Sequence, residues 1–130
     1  MIGERALRDP LAGSGRGDAR VHRVQLECVL ALIDRWPDTI RVQVWPDHLA
    51  APGLDDHCLL WELPALEGDG EPVIHLVGYV ETVLGVFYST RYAYLSRAFD
   101  AFTAMMNRAM RFDESRKCIE DVVAWSSSTG

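Results

Sequence analysis

The apolar positions change period along the chain. Between residues 21 and 36, Leu26, Val29, Leu30, Ile33 and Trp36 recur at helical spacing, while His22, Arg23, Glu27 and Asp34 fall on other faces. That spacing predicts an amphipathic helix, which Pro37 ends. From 39 to 45 the period is two. Ile40, Val42 and Val44 alternate with Arg41 and Gln43, which predicts a strand closed by Pro46. CLLWEL at 58–63 predicts a second strand, stopped by Pro64. The Val-, Ile-, Tyr- and Phe-rich run at 73–89 predicts two more, broken near Glu81-Thr82, and a helix starting at Pro72 competes for 73–81.

No glycine or proline interrupts residues 92–125. Leu95, Ala98, Phe99, Phe102, Met105, Met106, Ala109 and Met110 mark one amphipathic helix. Asp113 can cap a second, with Ile119, Val122 and Trp125 as its stripe; a single bent helix is the alternative. The order is helix, about four short strands, then one or two helices. It predicts an α+β fold, with mostly antiparallel strands and the C-terminal helices packed on one sheet face. The other face of such a sheet is free to bind.

Residues 1–20 hold Pro10 and four glycines with no apolar period. They are expected to be a flexible tail that adds nothing to stability. The expected domain is 21–126, with 127–130 frayed. The tail has no apolar core, so it does not read as a signal peptide. The longest apolar-rich run, 73–88, is broken by His75, Glu81 and Thr82 and is too short to span a membrane. With 48% hydrophobic and 25% charged residues, the composition excludes disorder throughout. Cys28, Cys58 and Cys118 show no C-x-x-C spacing. The expectation is three reduced, slow-reacting thiols on apolar faces of a cytoplasmic protein.

Charge changes the picture most. Residues 1–23 sum to +2 and 91–130 to +1, whereas 24–90 carry eleven acids against Arg35 and Arg41 only. No lysine or arginine lies between Arg41 and Arg91. Such a block repels phosphate backbones, which argues against direct nucleic-acid binding, and it attracts a basic protein.

Motifs for chemistry are sparse. Gly13-Ser14-Gly15-Arg16-Gly17 lacks the preceding strand and the following Gly-Lys-Ser/Thr of a phosphate loop. Trp-Pro-Asp occurs at 36–38 and 45–47, but no cysteine carries the downstream arginine that a tyrosine phosphatase needs. No serine sits in a nucleophile elbow. His48, Asp56, His57 and Cys58 are the metal candidates, because imidazole, carboxylate and thiolate together suit zinc; their spacing matches no zinc pattern, so no cofactor is expected. Tyr79, Phe87, Tyr88, Tyr92 and Tyr94 cluster in sequence, and alternation keeps 87 and 88 from sharing a face.

The reading is therefore a non-enzymatic protein-binding module, immunity- or antitoxin-like, that occludes the basic surface of a partner protein. Asp47, Asp55, Asp56, Glu62, Glu67, Asp69 and Glu71 are expected to supply the charge, and Trp45, Trp61 and Tyr88 the desolvated anchors. A homodimer is compatible with it. Two alternatives stand beside it. CLLWELPAL and the last amphipathic helix resemble secretion chaperones over a short part of the chain, which implies a protein holding an extended segment of an effector. A small metal-dependent enzyme would be built on Asp55 to Cys58.

Overall fold

A computed structural model describes residues 1–8, 19–49, 57–63, 75–82 and 85–128. In chain order the elements are β1 (Ile2–Gly3), α1 (Glu4–Arg8), α2 (Ala19–Arg35), β2 (Val44–Trp45), β3 (His57–Leu63), β4 (His75–Thr82), β5 (Gly85–Ser89), α3 (Tyr92–Arg108) and α4 (Phe112–Ser128). This is the expected mixture of helices with a small antiparallel sheet, together with one parallel strand pair. Two compact units result, Met1–Ala50 with Met106–Gly130, and Ala51–Met105. No helix among the described residues is long and apolar enough to cross a membrane.

In the first unit, Leu7, Leu26, Val44, Cys118, Ile119 and Val122 form the buried core, and Val29, Leu30 and Met110 pack against it half-buried. The inward residues of α2 are those of the predicted stripe. Trp36, at its end, is 48% exposed instead. Trp125 likewise leaves the α4 stripe, at 62% exposed.

The expectation of a flexible tail is corrected for residues 1–8. Ile2 and Gly3 pair in parallel with Val44 and Trp45, and Leu7 is 1% exposed. The Asp47 carboxylate accepts the Arg5 N–H at 2.9 Å, and Glu4 accepts the Asp47 N–H at 3.2 Å. That N–H, followed by the Arg8 guanidinium, holds the Glu4 carboxyl below the ordinary range. The remainder of the expected tail, 9–18, lies outside the described residues. At the other end α4 runs to Ser128, so 127–128 are helical rather than frayed, and 129–130 lie outside the described residues.

The expected strand over 39–45 shrinks to Val44–Trp45. Its first residues are used otherwise: the Thr39 and Ile40 amides both donate to the Trp36 carbonyl, at 3.1 and 2.8 Å, closing the end of α2. An amide spent this way cannot join a strand ladder.

The stretch from 92 onward forms two helices. Gln43 Nε2 donates at 3.0 Å to the Met106 carbonyl, an acceptor in the last turn of α3, and at 3.1 Å to the Met110 carbonyl beyond its end. The Met110 N–H donates to the Val44 carbonyl at 3.0 Å. Ser115, fully buried, accepts the Val44 N–H at 2.9 Å and donates to the Met110 carbonyl at 3.1 Å. At the start of α4, Glu114 accepts the Arg111 N–H at 2.9 Å, satisfying one donor at the N-terminus of the helix. Asp113, the expected cap, sits inside the first turn.

In the second unit, β3, β4 and β5 form an antiparallel sheet in that order. Residues 75–81 are strand, not helix. Leu59 pairs with Tyr79, Trp61 with Val77, and Tyr79 in turn with Tyr88. Gly85, at φ +129°, opens β5 in a conformation that a side chain would strain.

The three thiols separate. Cys118 is buried and Cys58 half-buried, and burial pushes both thiols above the ordinary range. Cys28 is exposed, against the expectation, because it falls between the inward positions Leu26 and Val29. Under native conditions Cys28 should label within minutes with a soluble disulfide reagent, and Cys118 only on unfolding. Equal rates for the two, read by peptide mass mapping, would contradict this arrangement.

Candidate functional site

Directly paired residues of an antiparallel sheet share a face, so the register assigns every strand position. One face carries Leu60, Gly78, Val80 and Phe87. Leu95 of α3 lies against Gly78 so closely that a Cβ there would come within 2.5 Å of its Cδ2. Glycine in the central strand therefore lets the helix seat on this side.

The opposite face carries Leu59, Trp61 and Leu63 from β3, His75, Val77, Tyr79 and Glu81 from β4, and Val86 and Tyr88 from β5. Its central residues Val77 and Tyr79 are half-buried, and its outer ones are exposed. Leu59 is 51% exposed, Leu63 45%, Val86 48% and Tyr88 71%, while Trp61 keeps 39%. Three aromatic rings run across the strands in edge-to-face contact. The centroids of Trp61 and Tyr79 are 6.5 Å apart, and those of Tyr79 and Tyr88 5.2 Å. This geometry fixes the rings before anything binds, which reduces the ordering cost of an interface. The Tyr79 hydroxyl donates to Glu81 at 3.3 Å. Desolvation, then the Glu81 carboxylate, push that hydroxyl above the ordinary tyrosine range.

The structure thus brings Trp61 and Tyr88 together, with Tyr79 between them. Glu62 is exposed and lies on the other face of the sheet, that of Gly78 and of Phe87, itself 55% exposed, because neighbouring strand residues alternate. Trp45 and Asp47 belong to the other unit and are structural there. Trp45 is 8% exposed, its indole N–H donates to the Leu49 carbonyl, and the Arg108 guanidinium lies 5.8 Å over its ring. Asp47 is engaged at the start of α1. Asp55, Asp56, Glu67, Asp69 and Glu71 lie outside the described residues.

Of the metal candidates, His48 lies in the first unit, His57 and Cys58 open β3 in the second, and Asp56 lies outside the described residues. No group of three His, Cys, Asp or Glu able to hold a metal occurs among the described residues.

Leu59, Leu63, Val77 and Val86 were not singled out by sequence reasoning. HCLLWEL is apolar at both even and odd positions, so its pattern does not say which side packs. A signal was present in Gly78, since glycine in a strand marks a close approach on its own face.

No curated protein and no solved structure matches the chain. One family model does, over residues 1–121, and the chain accordingly belongs to the family described as a domain of unknown function, DUF5753.

Proposed function

We propose that the protein is a cytoplasmic binding module of the immunity or antitoxin kind, which occludes a basic surface of a partner protein. The observation that carries this reading is the distribution of charge between the two units. Ala51–Met105 holds eight acids against Arg91 and Arg97, whereas the other unit balances eleven acids with eleven basic residues. The whole net charge of −6 therefore lies in the unit that also holds the open aromatic sheet face. Long-range attraction brings a basic partner to that unit, and apolar anchors then hold it. Occlusion needs no catalytic group.

The test is the association rate with the basic protein that co-purifies with the tagged chain. Asp55, Asp56, Glu67 and Asp69 are changed together to their amides, which removes charge and keeps size. The matched control is Glu27, Asp38, Asp113 and Asp121, all exposed and all in the neutral unit. The first set should slow association roughly tenfold at low salt, and physiological salt, with its screening length of about 8 Å, should shrink that difference. The control set should leave the rate within about twofold. Equal effects from both sets would reduce the idea to net charge alone, and no effect from either would remove the acids from the interface.

A further inference from the structure

The two outer strands end the sheet differently. β3 carries the exposed Glu62, and Pro64 follows it in the chain. A charge and a proline on or beside an edge strand are common devices that keep other strands from pairing there. β5 has neither: no charged residue and no proline occurs from Thr82 to Thr90. Val86, Phe87 and Tyr88 are 48%, 55% and 71% exposed. Val86 and Tyr88 lie on the Trp61 face of the sheet and Phe87 on the Gly78 face, so β5 is exposed on both sides. In β4 beside it, Leu76, Val77, Tyr79 and Val80 are half-buried and Gly78 is buried. Exposure that follows the strand rather than the face marks a sheet that lacks its next strand.

The backbone points the same way. Alternate residues of an antiparallel strand turn their N–H and C=O to opposite sides. β4 takes one set along Gly85–Ser89, and no strand among the described residues pairs with the other.

The residues of β5 select what completes it. Laid antiparallel on a second β5 with Phe87 opposite Phe87, all five residues pair: Gly85 stands opposite Ser89, and Val86 opposite Tyr88. A slip of two residues, the smallest that keeps each side chain on its face, leaves only three of the five paired. A β-branched residue opposite an aromatic one is a favourable cross-strand pair. No like charges meet, because the strand has none. Two-fold pairing consumes the same edge of both copies, so the assembly closes at two.

We infer that β5 pairs with β5 of a second copy, antiparallel about Phe87, and joins two three-stranded sheets into one of six. Pairing at this edge needs neither an acid nor a basic partner. The Trp61, Tyr79 and Tyr88 rings of both copies then lie on the same side of the joined sheet. Covering Val86, Phe87 and Tyr88 removes roughly 350 Å² per copy from water, less than half of the roughly 800 Å² per partner in a standard interface. The dimer is accordingly weak and concentration-dependent. Two chains of net charge −6 repel each other, so salt tightens the dimer, the opposite of the response to salt of a basic partner.

Sedimentation equilibrium of the full chain from micromolar to millimolar concentration should show monomer and dimer in exchange. Raising the ionic strength from about 0.01 to about 1 M, which cuts the screening length from about 30 to about 3 Å, should tighten the dimer roughly threefold or more. Phe87→Lys sets two cations against each other at the two-fold axis and should weaken it at least tenfold. Tyr92→Lys, at a ring 71% exposed in the first turn of α3, should change it less than twofold. Phe87 is 55% exposed, and circular dichroism verifies the fold of each variant. Cross-linking reads the register, in a Cys28→Ser background that removes the exposed native thiol. Directly opposite cysteines reach disulfide distance, whereas diagonal ones do not. Phe87→Cys should therefore form an intermolecular disulfide under mild oxidation at least tenfold faster than Tyr88→Cys, although Tyr88 is the more exposed position.

A chain that stays monomeric at millimolar concentration overturns the inference. A dimer that weakens with salt, or ignores Phe87→Lys, is made through another surface and overturns it as well. Equal or faster cross-linking through Tyr88→Cys does the same, since the strands would then not meet about Phe87.

Discussion

Leu7→Ala should destabilise the first unit by about 3 kcal/mol, the middle of the range for leucine truncation in a packed core. Leu7 is 1% exposed and sits among Leu26, Val44, Cys118, Ile119 and Val122. The cavity left behind borders the β1–β2 pair and α1, both too short to persist without that packing. Urea unfolding read through tryptophan fluorescence suits the measurement, since Trp36, Trp45 and Trp125 all lie in this unit. Val21→Ala on the exposed side of α2 is the comparison and should stay within about 0.5 kcal/mol. Should Leu7→Ala behave like Val21→Ala, the placement of residues 1–8 in the core is wrong and the flexible tail returns.

Ser115→Ala should cost about 2 kcal/mol, although it removes a single oxygen. The hydroxyl is the acceptor for the Val44 N–H at 2.9 Å, and Val44 is fully buried. Without it that amide is left unpaired in a place water does not reach, and a buried orphan donor costs about 1–3 kcal/mol. The Met110 carbonyl suffers less, because Gln43 Nε2 still donates to it at 3.1 Å. Ser126→Ala is the internal control: its hydroxyl donates to the Val122 carbonyl at 2.8 Å within the same helix, and the loss should be under about 0.5 kcal/mol. Similar small losses at both positions would show that Ser115 does not tie β2 to the joint between α3 and α4.

The sequence by itself determined those elements whose evidence is local. The three- and four-residue spacing around Leu26, Val29 and Leu30 and around Leu95 and Phe102 describes a helical face whatever surrounds it, and both helices are there. The β-branched and aromatic run at 73–89 and its break near Glu81-Thr82 likewise describe two strands. Trp61, Tyr88 and the missing lysines and arginines were legible as residues.

Tertiary structure decided everything that depends on a distant partner. Ile2 to Arg8 carry no period long enough to read, and they fold because Val44 and Trp45 pair with them and Asp47 caps them from some forty residues away. The alternation at 39–45 promised a longer strand, but the end of α2 consumed its first amides and left only two residues with a partner. Trp45 and Asp47 looked like interface residues for the same reason that Trp61 did, and only packing separates a buried tryptophan from an exposed one. The open face itself was hidden in HCLLWEL, where both sides of the strand are apolar. Gly78 marks one side by admitting Leu95 there, although Phe87 on that side stays 55% exposed, and Leu59, Trp61 and Leu63 lie exposed on the other.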